Sequence, residues 1–192
     1  MLIDIHTHRP TSAVTISAVG LHPWQAEGGT FPSREAVAAA DAVGEIGLDR
    51  ACKVDFECQR RVFEEQLCMA EEQQKAVVLH CVKAFEEMMA TLDKHTLRAV
   101  IFHGFIGSKE QAARAVKKGY YLSFGARTES STKTIEALRV TPLNRLFVET
   151  DEAEVTIEAM YQTIARLRDL EVEELKRATA ANYKRIFTKE DE

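Results

Sequence analysis

Short apolar runs that end in histidine or a carboxylate recur along this chain, and that recurrence constrains its fold more than any other feature. The first is Leu2, Ile3 and Ile5 running into His6-Thr7-His8. On a strand, residues two apart point to the same side, so His6 and His8 can present two imidazoles to one point, with Asp4 sharing their parity. Comparable runs are Ala13 to Gly20, AVGEIGLD with Glu45, KAVVLHC with His80, LRAVIFHG with His103, GYYLSFG, and NRLFVETD with Asp151. Between them lie stretches of helical spacing. These are Ser33 to Ala40 behind Pro32, Asp55 to Gln74, Phe85 to Leu92, Glu110 to Lys117 and Thr132 to Leu138. Two helices, Val155 to Leu167 and Glu171 to Phe187, close the pattern, and the terminal TKEDE is expected to fray.

Strands alternating with helices predict a parallel α/β architecture. Chemistry gathered just past strand C-terminal ends is where open α/β sheets and β/α barrels both place active sites. A flavodoxin-like layered sheet stays open at this point. Ligand candidates on nearly every strand favour a ring of seven strands, because a ring directs those ends to one centre. Few residues separate the first strand from the second, too few for a helical crossover, so the ring is expected to be short or distorted there.

The 192 residues suit a single domain, 1–192, with a substantial core. Cys52, Cys58, Cys68 and Cys81 form no CxxC and no disulfide framework, as in a reduced cytoplasmic protein. No signal peptide or membrane span is read. A net charge of -5 argues against a general nucleic-acid coat, but leaves room for an enzyme whose metal ions engage phosphate. Oligomeric state is left open, with a monomer favoured.

Four histidines (His6, His8, His80, His103) and two carboxylates (Glu45, Asp151) occupy the same topological position. This set suits two divalent ions, Zn²⁺, Mn²⁺ or Mg²⁺, and is too nitrogen-rich for a dedicated magnesium cage. His6, His8 and Asp151 are expected on one ion, His80 and His103 on the other, with Glu45 bridging. A water shared by two ions becomes hydroxide near neutral pH, and Asp151 is placed to orient it or accept its proton. The reaction is then a metal-assisted hydrolysis, with the bond cleaved unsettled by the ligands alone.

The stretches DIHTH, VGLHP, GEIGLD followed by FECQRRVFEEQL, LHC, FHGFIGS, YYLSFG, LFVETD and the closing ELKRATAANYKRIF run in order along nearly the whole chain. Together they resemble the TatD family of metal-dependent hydrolases, within the amidohydrolase superfamily. The resemblance implies a TIM-barrel-like fold, divalent-metal-dependent deoxyribonuclease activity, a small phosphodiester or a DNA end as substrate, and the six residues above as metal ligands. It also matches His22 to a histidine near the substrate phosphate. The chain departs from the family pattern after DIHTH, where a helix, a strand and a second helix are absent. It departs again after ETD, where Glu152 and Ala153 replace a proline and an Arg-Asn loop. The arginine often found after LHC is Val82, with Lys83 next to it.

Other residues keep two readings. His22 serves phosphate or a turn. Trp24 stacks on a base or covers core. Arg127 and Lys83 meet phosphate or make surface ion pairs. Asp49 supports the loop or a ligand histidine. Glu149 shares the parity of Asp151. Cys81 is read as packing and His95 as outside the site. The alternatives to a nuclease are an amidohydrolase acting on an amide, lactone or phosphoester, and a metal-binding protein that no longer turns over.

Overall fold

The computed structural model describes residues 1–188. The tail expected to fray lies, beyond Thr188, outside the described residues. Among the described residues, six parallel strands lie side by side in chain order, with helices between them. This succession is that of a TIM-barrel-like α/β fold lacking one β/α unit. The described residues fall into two compact units, one of Ile16–Phe102 and one of Met1–Thr15 with the residues from His103 onward.

The unit of residues 16–102 holds β1 (Ala18–Val19), α1 (Arg34–Ala39), β2 (Ala42–Asp49), α2 (Phe56–Glu72), β3 (Ala76–Val82), α3 (Phe85–Leu92) and β4 (Ala99–Phe102). Helix α2 starts where Asp55 accepts the amide of Cys58 at 2.8 Å, and it buries Val62, Phe63, Leu67 and Ala70 along one stripe. The same face carries two buried glutamines. Gln66 binds both backbone groups of Leu21, accepting from its N–H at 2.6 Å and donating to its carbonyl at 3.0 Å. Gln59 does the same for Asp49, at 2.8 and 3.0 Å. A single helix thereby fixes the residue before His22 and the last residue of β2.

The two glycines of GEIGLD have a steric role. Strand β2 runs so close to β3 that a Cβ at Gly47 would lie 2.0 Å from the carbonyl oxygen of His80, and Gly47 has φ +149°. The register between the strands shifts between Val43 and Ile46, beside Glu45.

The other unit holds α4 (Lys109–Lys117), β5 (Tyr121–Phe124), α5 (Thr132–Val140), β6 (Leu146–Val148), α6 (Ile157–Arg168) and α7 (Val172–Phe187). Helix α4 opens with a capping box between Ser108 and Gln111. The expected N-terminal strand forms no continuous ladder here. Ile3 meets Val14 and Thr7 meets Asp151 through single parallel bridges. The segment is nonetheless bonded as a strand would be: Asp4 N–H to the Val14 carbonyl at 2.9 Å, and Ile5 N–H to the Val148 carbonyl at 3.2 Å. The backbone of Ile3 is held by a side chain instead, with the Tyr161 hydroxyl accepting from its N–H and donating to its carbonyl at 2.9 Å. The expected strand at Ala13 to Gly20 is likewise reduced to β1, with Val14 in a single bridge to Ile3.

A cavity of about 530 Å³ lies between Arg9–Ser12 and residues 153–158. Among the described residues, no helix is long and apolar enough to cross a membrane.

Candidate metal-binding site

In the unit that carries the N-terminus, His6, His8 and Asp151 offer ligand atoms within 4.8 Å of one another. Backbone pairing makes the group: Asp151 N–H donates to the His6 carbonyl at 3.0 Å, and His8 N–H to the Asp151 carbonyl at 3.2 Å. Asp151 has φ +52°, a left-handed conformation that aspartate tolerates better than most residues. Asp4, which shares the parity of the histidines, is buried below them. It accepts the Thr150 N–H at 2.9 Å and its hydroxyl at 2.6 Å, so it anchors the strand end. Burial raises its carboxyl pKa although Thr150 opposes the shift.

Nε2 of His6 and Nε2 of His8 each stand 3.6 Å from Asp151 Oδ1. That is too long for a hydrogen bond. It fits ligands sharing an ion, since two donors each about 2.1 Å from a tetrahedral ion stand roughly 3.4 Å apart. The donor set and its spacing therefore fit a zinc-like divalent ion.

His103 follows β4, and its Nδ1 lies 3.3 Å from Oε1 of Glu149, a residue 1% exposed just past β6. His103, Glu149 and Asp151 form a further candidate group. Burial alone would raise the Glu149 carboxyl, but the His103 hydrogen bond and the nearby histidines outweigh it and hold the carboxyl below its ordinary value. An ionised Glu149 that accepts from His103 Nδ1–H suits the Nε2 side of the ring to a metal.

The unit of residues 16–102 has its own group, His22, Glu45 and His80. His80 Nδ1 is 2.9 Å from Glu45 Oε1, and its Nε2 is 3.0 Å from Asp49 Oδ2. Asp49 is 3% exposed and also accepts from the Trp24 indole at 2.7 Å and from Ala51 N–H at 2.7 Å. Burial pushes its carboxyl up, yet the Trp24, His80 and Ala51 hydrogen bonds bring it below the usual carboxylate range. An ionised Asp49 that accepts from His80 Nε2–H suits Nδ1 to a metal ion shared with Glu45.

His22 differs in kind. Its Nδ1 accepts the Trp24 backbone N–H at 3.2 Å, so the neutral ring carries its proton on Nε2, which lies 3.3 Å from Glu45. Such a ring donates a hydrogen bond. That suits an anionic oxygen better than a metal ion.

The remaining expectations divide. Arg127 sits exposed in the turn after β5, and Lys83 is exposed with φ +52° at the end of β3. The Cys81 thiol is pushed up to about 12 by burial, as a packing residue's would be. His95 binds Glu71 at 2.9 Å, beside the C-terminal end of α2. Sequence reasoning missed the Trp24–Asp49 bond, which depends on a turn geometry that no periodicity encodes.

The profile of the TatD related DNase family matches residues 4–188. The uncharacterized metal-dependent hydrolase YabD of Bacillus subtilis is 31% identical over 164 residues, 76% of this chain. The chain spans 64% of that relative's length. The 3'-5' ssDNA/RNA exonuclease TatD of Citrobacter rodentium is 27% identical over 200 residues, covering 89% of this chain and 76% of the relative. The crystal structure of YJJV, a TatD homologue from Escherichia coli, superposes with a TM-score of 0.82 at 28% identity, over 92% of this chain and 78% of that one. With carboxylate–histidine groups at its strand ends and a family match over residues 4–188, the chain belongs to the TatD-related DNase family.

Proposed function

We propose that the protein is a divalent-metal-dependent hydrolase of phosphodiesters, acting on small nucleotides or DNA ends. His6, His8, Glu45, His80, His103 and Asp151 are its metal ligands. The observation that carries the reading is the pair of buried carboxylates, Asp49 and Glu149, each set on one ring nitrogen of a strand-end histidine. A histidine held in this way is prepared to give its other nitrogen to a metal. Two bound ions would supply Lewis-acid polarisation of a phosphoryl oxygen and a lowered pKa for water.

The chain's own residues do the rest. His22 donates from Nε2 to a phosphate oxygen. Asp151, partly exposed beside His6 and His8, orients the attacking water and takes its proton. Arg127 and Lys83 supply local positive charge. The relative named as a single-strand exonuclease supports a DNA or RNA end as substrate. The net charge of -5 supports weak, salt-sensitive binding that depends on metal. Free thiols at all four cysteines support a reducing, cytoplasmic location.

A metal-screened assay comparing labelled single-stranded oligonucleotides, mononucleotide esters and simple lactones tests the reading. Metal-dependent cleavage of the oligonucleotides is expected, falling by about 10²-fold or more in Asp151→Asn. Rapid lactone turnover beside intact oligonucleotides would overturn the phosphodiester assignment.

A further inference from the structure

Trp24, the only tryptophan of the chain, is 59% exposed. An exposed indole forgoes most of the stabilisation that burying so large an apolar side chain provides. Yet this one is tethered as firmly as a core residue. Its backbone N–H donates to His22 Nδ1 at 3.2 Å, and its indole N–H donates to Asp49 Oδ2 at 2.7 Å. Its ring stands edge-to-face with His22, centroids 4.7 Å apart and planes at 77°, and 5.8 Å from His80 at 78°. Two rings of one candidate metal-binding group therefore border the indole, while much of its surface stays open to solvent.

Covering the Asp49–His80 hydrogen bond would require only apolar bulk packed inward. It would not require an indole left mostly in water. A rigid, exposed aromatic face beside a metal-binding group has a direct use: a planar ring can stack on it without the cost of ordering a side chain. The turn Pro23–Gln25 that presents it begins with a proline, which limits its backbone freedom further.

We propose that Trp24 is a preformed stacking platform for a nucleobase whose phosphate is engaged at the His22, Glu45 and His80 group. This rests on the phosphodiester reading above. It makes Trp24 the residue that distinguishes a nucleotide from a bare sugar phosphate. Asp49 is then a positioning residue shared by platform and histidine, since one of its oxygens accepts from both.

The lone tryptophan makes the test direct. Metal-loaded protein is titrated with thymidine 5′-monophosphate and with deoxyribose 5-phosphate, following tryptophan emission and, in parallel, heat of binding. The nucleotide should change the emission saturably and bind about 10-fold more tightly than the sugar phosphate, which should leave the emission unchanged. Trp24→Phe should keep the preference to within about 3-fold, and Trp24→Ala should abolish it, with the nucleotide losing about 10-fold more affinity than the sugar phosphate. Equal affinities in the wild-type protein, or equal losses for both ligands in Trp24→Ala, would overturn the platform while oligonucleotide cleavage left the phosphodiester reading standing. Binding of neither ligand, with no phosphodiester hydrolysed, would overturn both.

Discussion

At the scale of single residues, the candidate site is a matter of which nitrogen carries a proton. His80 has carboxylates at both ring nitrogens, and the buried Asp49, held below the usual carboxylate range, is the acceptor that suits the hydrogen to Nε2 when a metal takes Nδ1. Asparagine at position 49 preserves size but can donate from its amide to Nε2, which moves the ring proton to Nδ1 and blocks the metal-facing lone pair. Asp49→Asn should therefore weaken metal affinity by about 10- to 100-fold with the fold retained, measured by metal-competition titration beside circular dichroism. Unchanged affinity would show that Asp49 only supports its loop. His6, His8, Glu45, His80, His103 and Asp151 were legible as candidates because strand parity and apolar runs are local. The supporting role of Asp49 was legible from its place after the ligand segment. The tautomer of His22 was not, because it is set by a backbone amide two residues away, across a proline turn.

At the scale of elements, the irregular places are held by helix side chains that reach backbone groups. Gln59 and Gln66 stand seven residues apart, two turns of α2, so they emerge on one face, at Asp49 and Leu21. Tyr161 of α6 does the same for Ile3, and burial pushes its hydroxyl up to about 12. Replacing Gln66 by leucine would leave the Leu21 N–H and carbonyl buried without these partners, at a cost of about 2 kcal/mol. Chemical denaturation should record that loss, and activity should fall more than stability predicts because His22 follows Leu21 directly. A loss within error of zero would mean that water replaces the amide. The helices themselves were readable from caps and stripes: the expected Phe85 to Leu92 helix is observed with those bounds, and Asp55 caps α2. The glutamine clamps were not readable. A polar residue on an amphipathic helix looks solvated until the loop it binds is known.

At the scale of the whole molecule, the alternation of strands and helices sufficed to read the fold class, because each apolar run is bounded by turn residues and followed by a helical stripe. The weak point was also visible, as a connection too short for a crossover. A distortion was expected there, but not its form, for the N-terminal run is a full strand by composition and yet pairs through single bridges. Sequence periodicity measures the wish to be buried, whereas a ladder also needs a neighbour of matching length. The central claim is that the strand-end histidines and carboxylates hold divalent metal and that hydrolysis depends on it. Metal content per chain, measured by elemental analysis after dialysis against chelator-free buffer, tests it most directly when wild type and Glu45→Ala are compared with their activities. Two ions per chain are expected in the wild type, with metal and activity lost together in the variant. Full activity with unchanged metal content in Glu45→Ala would contradict the account.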